Sequence, residues 1–476
     1  MNKEDICFLS AYEMREKIGT QELTSLEITE TLIERIKEIN PKVNAYCTPT
    51  FDMAREMAKK ADQAVKNGEK LGLLNGIPTS IKDLMLLKGV RTTYGSLLYE
   101  NFIPEDDEIV VKRLKEAGCV ILGKTNTPEF GHIALTDNRI FGETHSPWDL
   151  ETNSGGSSGG AAASVASGMG PLALGSDGGG SIRIPSCCCG VYGLKPTFGR
   201  IPRYPHETIQ FWSMDHYGAI VRHVRDAALM LNVMKGHHPA DKNSLPDDNI
   251  DYVKILDDKP SHLKIGYSMN LGFGKALEDE IEKAVLNAAH KFEQYDWEVE
   301  ESNLKLRNPG KAFKTLVSVG YAYDLKKAYE ERPDDMAPDL KAAIRLGLDN
   351  SGMNIAKATA QRKDLYDAMY EYFNAYDLLI TPTTPIAAFK PIWLESGTVF
   401  PKIGKKALST VDWITYTYPF NMTGLPAATI PCGWTSNGLP IGMQIVGRRY
   451  DEKTVLQVSK AFEEIAPWQV KRPNLK

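Results

Sequence analysis

The chain has 476 residues, 42% apolar and 25% charged, with a net charge of -5. That balance excludes intrinsic disorder, a collagen-like repeat and a disulfide scaffold. Mixed, interspersed charges offer no basic field for phosphate backbones, so direct nucleic-acid binding is not expected.

In chain order, two helix starts pair Ser10 with Glu13 and Thr24 with Glu27, the spacing at which each side chain caps the other's backbone. After Thr24, the residues Ile28, Leu32, Ile36 and Ile39 make one apolar stripe. An Ala- and Lys-rich helix at 51–70 precedes LLNGIPTSIKDLML, where Gly76 and Pro78 punctuate a short strand reaching Lys82. Helix 109–118 runs into the strand CVILGKTN, a step typical of α/β architecture, and a mostly parallel sheet is predicted. Residues 153–190 turn Gly- and Ser-rich. An Ala-rich helix at 159–168 and a strand at Leu172 to Leu174 argue against a flexible linker there. Beyond residue 240 the chain reads as mostly helical to 375. A buried strand in DLLITPTTPI (377–386), two strands in TGLPAATIPCG and GLPIGMQIVG, and an amphipathic helix at 452–465 follow.

Cys7, Cys47, Cys119, Cys187, Cys188, Cys189 and Cys432 form no CxxC pair and read as reduced thiols of a cytoplasmic protein. The opening MNKEDICFLS lacks the apolar core of a signal peptide, and no apolar run is long enough to span a bilayer.

Three glycines, Gly178, Gly179 and Gly180, precede Ser181 directly after a strand in GSDGGGSIRIP (175–185). Glycine lets successive backbone N–H groups turn toward one point, and such a nest stabilises an oxyanion when a serine attacks a carbonyl. Ser181 is the candidate nucleophile, unless the glycines serve only a tight turn. A serine hydroxyl needs a base. His132 and His206 lie on either side of Ser181 in sequence, and a neutral lysine is the other option. Lys82, flanked by Ile81 and Leu84, stands where burial would lower its pKa, unless it is a surface lysine. Moving a lysine from about 10.4 to roughly 7 costs on the order of 4–5 kcal/mol. In GGSSGG (155–160), Ser157 or Ser158 could bridge lysine and nucleophile, or cap the next helix.

Taken together, Lys82 in GIPTSIKD, the serines of GGSSGG and Ser181 in GSDGGGSIRIP resemble, in order and spacing, the lysine, cis-serine and nucleophile motifs of the amidase signature family. KTNTPEF (124–130), SPWDL (146–150), CGVYGLKPTFGR (189–200) and NMTGLP (421–426) extend the resemblance over nearly the whole chain. A joint match at this many positions is far more specific than one short motif.

The resemblance implies an α/β/α sandwich around a large mixed, mostly parallel twisted sheet. It implies one domain over 1–476, with a helical layer at 5–70, a catalytic core at 71–235 and a variable pocket region at 260–410. It makes Lys82 the base, Ser157 the relay with Ser158 its neighbour, and Ser181 the nucleophile. The amides of Gly178, Gly179, Gly180 and Ser181 hold the oxyanion, and backbone at Gly131, near His132 and Ile133, lines the acyl pocket. Gly178 replaces a usual Thr or Ile, which implies a looser nest. Asp177 and Arg183 either brace the nucleophile loop or form a purely structural ion pair. No metal or cofactor is required, and the partners implied are a small-molecule amide and, left open, a second copy in a homodimer.

Cys187, Cys188 and Cys189 point in different directions and make a poor thiol or metal site. Tyr204, Phe211, Trp212 and Tyr217 read as core or as a wall selecting an apolar or aryl acyl group. His132 and His216 read as structural or substrate-lining. Within the family, stand-alone amidases contrast with the glutaminase subunit of the tRNA-dependent amidotransferase, whose pocket grips an amino acid with an arginine and an aspartate. Those positions fall here on Ala342 or Ala343 and on Ile414, which favours a stand-alone amidase with a less polar pocket. The tail PWQVKRPNL also resembles small-amide and nylon-oligomer hydrolases.

Overall fold

Both N-terminal capping boxes close as their spacing predicts. The Ser10 and Thr24 hydroxyls accept from the N–H of Glu13 and Glu27, whose carboxylates accept in return, starting helices Ala11–Gly19 and Ser25–Val43. With helix Phe51–Lys66 they form a helical layer on one end of a sheet. The computed structural model describes residues 1–205, 210–394 and 397–475.

Eleven strands share that sheet: β1 Tyr46–Pro49, β2 Pro78–Lys82, β3 Val120–Thr125, β4 Leu172–Asp177, β5 Tyr192–Lys195, β6 His216–Val221, β7 Lys264–Tyr267, β8 Glu298–Glu301, β9 Leu378–Pro382, β10 Ala427–Trp434 and β11 Pro440–Gly447. Their order is β1-β3-β2-β4-β6-β5-β10-β11-β9-β7-β8. The mixed α/β architecture is as expected, but its predicted parallel majority is not. Only β2 with β3, β2 with β4, β9 with β7 and β7 with β8 pair parallel; the other six neighbours are antiparallel. The reason lies in strand order. β4 and β5, joined through helix Arg183–Cys189, do run the same way, yet β6 inserts between them and opposes both. A short loop from Trp434 to Pro440 then folds β10 and β11 into a hairpin, which is necessarily antiparallel.

Alternation along the strands feeds two cores. Leu378 and Ile380 of β9 join the apolar cluster that holds the N-terminal helices, while Leu379 joins a second cluster with helices Gly310–Glu331, Pro338–Leu348 and Gly352–Ala375. Both faces of the sheet are therefore covered. β7 and β8 fall within the stretch read as mostly helical. The last helix, Glu452–Ile465, matches its predicted span.

Parallel pairing of β2 and β4 positions the site. Thr79, Ser80 and Ile81 stand opposite Leu172, Ala173 and Leu174, so both strands release their C-terminal ends at one place. Open α/β sheets commonly bind ligands at such carboxyl ends.

Candidate active site

β2 is buried along its whole length and delivers Lys82 into the protein with no side-chain exposure. Its Nζ lies 2.7 Å from Ser157 Oγ and 3.0 Å from Ser176 Oγ. No carboxylate among the described residues pairs with it. Loss of hydration pulls the Lys82 pKa down to about 7, against the opposing pull of the negative charges on Asp215 and Asp177. A buried, unpaired amine is thus largely neutral at slightly alkaline pH.

Ser157 follows a cis peptide bond from Gly156. Its neighbour Ser158 stands at the N-cap place of helix Gly159–Ala166 but caps nothing. Instead Ser158 Oγ donates to Ser176 O at 3.2 Å, and its N–H donates to Ser181 O at 3.2 Å. This serine ties the turn 156–158 to β4 and to the loop 178–181.

Beyond β4 the loop 178–181 is held by a buried network. Arg183 and Asp177, both fully buried, pair at 2.9 Å. The guanidinium also donates to Thr417 O, Gln444 Oε1 and Asn421 Oδ1. Asn421 donates to the Asp177 carboxylate and carbonyl at 2.7 Å each, and Thr417 Oγ1 donates to Gly179 O at 2.7 Å. Although burial opposes ionisation, the Arg183 charge holds the Asp177 carboxyl far below the usual carboxylate range. Of the two readings of this ion pair, bracing of the serine loop is the one its contacts fit.

The expected oxyanion nest needs one correction. Gly180 N–H donates to Asp177 Oδ1 at 2.7 Å, so it is already committed and cannot also serve an incoming oxyanion. The amides of Gly178, Gly179 and Ser181 donate to no acceptor among the described residues. Nor does Gly178 leave a gap: a Cβ there would lie 2.5 Å from the Phe211 ring, which takes the space of the missing side chain.

Ser157, Ser176, Gly178 and Ser181 open on one cavity of about 270 Å³. One wall is apolar, with Leu84, Tyr94, Phe102 and Phe130; the other carries Glu108, Arg203, Asp215 and Asp324. The expectation of a less polar pocket holds for one wall only. Arg203 and Asp215 pair at 2.5 Å, and Tyr217 OH donates to Glu108. Burial pushes the Glu108 carboxyl up to about 7. Of the aromatic run, Phe211 and Tyr217 line the cavity. Tyr204 stacks on His238 outside it, and Trp212 is turned outward.

Gly131 lines this cavity, with its Cβ position 3.3 Å from Ser157 Oγ, but His132 and Ile133 do not. Gly131 and Ile133 have φ of +68° and +73°. This turn in the chain sends the side chains of His132 and Ile133 to a neighbouring cavity of about 160 Å³. His132 packs edge-on against Tyr321. His206 lies outside the described residues. His216 is buried, with Nδ1 3.2 Å from Asp177 O, and burial holds it well below the usual histidine range. All three thiols of the run Cys187 to Cys189 are buried and pushed up by burial, Cys187 to about 11. Among the described residues no three His, Cys, Asp or Glu side chains gather as for a metal, and no helix is long and apolar enough to cross a membrane.

Sequence reasoning missed Ser176, Asp215, Thr417, Asn421 and Gln444. Ser176 and Asn421 stood inside two of the motifs, GSDGGGS and NMTGLP. Thr417 and Gln444 carry no local signal, since they come from distant strands and turns.

Comparison with known proteins agrees with this arrangement. The sequence model of the amidase family matches residues 27–456. The chain is 38% identical to an acylamidase of Rhodococcus erythropolis, over 99% of this chain and 98% of that one. It is also 38% identical to a glutamyl-tRNA(Gln) amidotransferase subunit from Moorella thermoacetica, over 99% of both. A bacterial aryl acylamidase structure superposes with a TM-score of 0.90 at 30% identity, covering 97% of each chain. The 6-aminohexanoate cyclic dimer hydrolase also gives 0.90, at 29% identity, over 98% of this chain and 99% of that one. The chain belongs to the amidase signature family.

Proposed function

We propose that this protein hydrolyses the C–N bond of small, aryl or oligomeric carboxamides through an acyl-enzyme on Ser181, releasing a carboxylic acid and ammonia or an amine, without partner proteins. The observation that carries this reading is the buried Lys82 amine, 2.7 Å from Ser157 Oγ, beside the serine-tipped glycine nest.

In its neutral form Lys82 Nζ donates to Ser176 and accepts the O–H of Ser157. As Ser181 Oγ bonds to the carbonyl carbon, its proton passes to Ser157, whose own proton passes to Lys82. The amides of Gly178, Gly179 and Ser181 hold the developing oxyanion. Collapse breaks the C–N bond, Ser157 delivers its proton to the leaving nitrogen, and Lys82 restores the proton of Ser157. Water then enters by the same relay, and the acid departs as Ser181 regains its proton. Asp177, Arg183 and Asn421 act on the loop rather than on substrate.

The relatives that are amidotransferase subunits supply a second reading, a glutaminase. Against it, Ile414 at the place of the expected aspartate packs beside Gly179, 3.7 Å from its Cβ position, and Ala342 and Ala343 are absent from the cavity lining. Arg203 and Asp215 do reach the cavity but pair with each other. Seven unpaired cysteines fit a cytoplasmic setting.

The test is hydrolysis by the purified chain of glutamine, a short aliphatic amide, an acyl anilide and a linear aminohexanoate oligomer, with Ser181→Ala as control. Turnover of the non-amino-acid amides, lost in the variant, is expected. Cleavage of glutamine alone, or activity only with amidotransferase partners, would assign the glutaminase role.

A further inference from the structure

Between β5 and β6 the loop 210–214 is pinned to helix Gly310–Glu331. A Cβ on Gly320 of that helix would lie 2.5 Å from the Gln210 carbonyl oxygen and 2.7 Å from its Cα, so glycine is what lets the loop backbone come this close. The Trp212 indole N–H donates to Leu316 O at 2.8 Å. Arg362 donates to Ser213 Oγ at 2.6 Å and to Ser213 O at 3.0 Å. Trp212 has φ of +49°, a left-handed conformation that bulky side chains rarely adopt. With this turn Trp212 is exposed while Phe211, half-buried, lines the cavity.

The Phe211 ring covers the first glycine of the nest. The three atoms nearest the place of a Gly178 Cβ all belong to that ring, at 2.5, 2.6 and 2.9 Å. Gly178 has no left-handed φ that would itself demand glycine, so what bars a side chain there is Phe211. Behind it, Tyr321 meets the ring edge-on at 5.8 Å between centroids, and Tyr321 OH donates to Phe130 O at 3.1 Å. Phe313, about two turns earlier on the same face of the helix, stands 2.9 Å from the place of a Gly179 Cβ. One helix face thus covers two nest glycines, Gly179 directly and Gly178 through Phe211.

In the tetrahedral intermediate the oxygen lies in the nest, Ser181 Oγ is bonded to the carbon, and the leaving nitrogen faces Ser157, which hands it a proton. The acyl group takes the remaining direction. We infer that Phe211 is a specificity-determining residue: from a distant loop its ring stands in for the side chain that Gly178 lacks, bounds the acyl half of the cavity there, and excludes acyl groups branched at the carbon next to the carbonyl. The inference rests on the amidase reading and adds a substrate class to it, amides of unbranched acids, with any aryl group in the amine half. A rigid wall discriminates by one methyl group because the ring, held from behind, has nowhere to retreat.

The test compares kcat/KM of the full chain for propionyl and isobutyryl amides, which differ by one methyl on that carbon, each as the primary amide and as the anilide. Propionic ortho-methylanilide, with the extra methyl in the amine half, is the control. Comparing ratios between variants cancels the intrinsic reactivity of each amide. Phe211→Ala, and the milder Phe211→Leu should the first not fold, should raise the isobutyryl-to-propionyl ratio about tenfold and leave the ortho-methyl ratio in place. A second arm reads suppression. Gly178→Ala should lower kcat/KM for the propionyl amides about a hundredfold, and adding Phe211→Ala should recover about tenfold of that loss, which a merely structural phenylalanine would deepen. An unmoved isobutyryl ratio, a shift that falls on the ortho-methyl ratio instead, or a double variant no better than Gly178→Ala would overturn the inference. Failure of the amidase reading is seen separately, as absence of Ser181-dependent turnover of every amide in the unmodified chain, and would take this inference with it.

Discussion

Two lysines on neighbouring strands are equally buried and differently used. Lys82 ends β2, and Lys124 stands in β3 opposite Ile81; neither side chain is exposed. Lys124 Nζ meets the Asp83 carboxylate at 3.2 Å, Met85 O at 2.6 Å and Thr92 Oγ1 at 2.8 Å. Among the described residues Lys82 meets two serine hydroxyls, of Ser157 and Ser176. Burial alone does not make a base: a carboxylate at contact distance holds an ammonium in place, whereas hydroxyls leave a neutral amine with a lone pair to offer. Around β2 the charges of Asp215 and Asp177 act on Lys82 without an ion-pair contact, while β3 is closed with a salt bridge.

The largest expected effects come from breaking each site in turn. Lys82→Ala should lower kcat by about a thousandfold or more while leaving the melting temperature nearly unchanged. Lys124→Ala should do the reverse, costing about 3–5 kcal/mol of stability because it leaves Asp83 buried and uncompensated. Chemical denaturation of both variants beside steady-state kinetics checks the pair; equal loss of stability in the two would collapse the distinction.

Next in size is the brace under the serine loop. Arg183→Gln strands the Asp177 carboxylate and should also cost about 3–5 kcal/mol, with activity reduced in the fraction that stays folded. Normal kinetics and stability in that variant would show that the network does not hold the nest.

The pH dependence sharpens the contrast further. Activity that needs neutral Lys82 should rise through a midpoint of about 7 and fall toward acid. Stability carries the same sign. The folded-state pKa lies below the ordinary 10.5, so the unfolded chain binds the extra proton between those values. This site's contribution is thus intact above 10.5 and lost progressively as pH falls to about 7, with the full penalty below. Lys82→Met should therefore be more stable than the unmodified chain at pH 7, with the gap closing toward pH 10.

The smallest effect is expected from Asp215→Asn. The Asp215 charge raises the Lys82 pKa against burial, so its removal should move the acid limb of the rate profile to lower pH by a fraction of a unit. A shift to higher pH would reverse the assigned role of Asp215.

Much of the site was legible because its signals are local. The capping residues, the end of β2, the Gly-flanked serines and the glycine nest each occupy a few consecutive residues. What failed to read is non-local. The insertion of β6 between β4 and β5 is set by tertiary packing, so the sheet's parallel majority was wrong. β8 is an edge strand, EVEE, with only Val299 half-buried, and it offers no apolar alternation. Gly180 looked like an oxyanion donor until the Asp177 side chain was seen to fold back onto its amide. Phe211 could be placed among the aromatics near the site, but its seat on Gly178 depends on the turn at Trp212, which no local pattern announces.

The most direct measurement is the titration of the Lys82 side chain itself by NMR, with selectively labelled lysine and Lys82→Arg for assignment. A midpoint near 7, with the amine neutral by pH 9, is the predicted result. A Lys82 still charged at pH 9 would contradict a lysine base acting through Ser157.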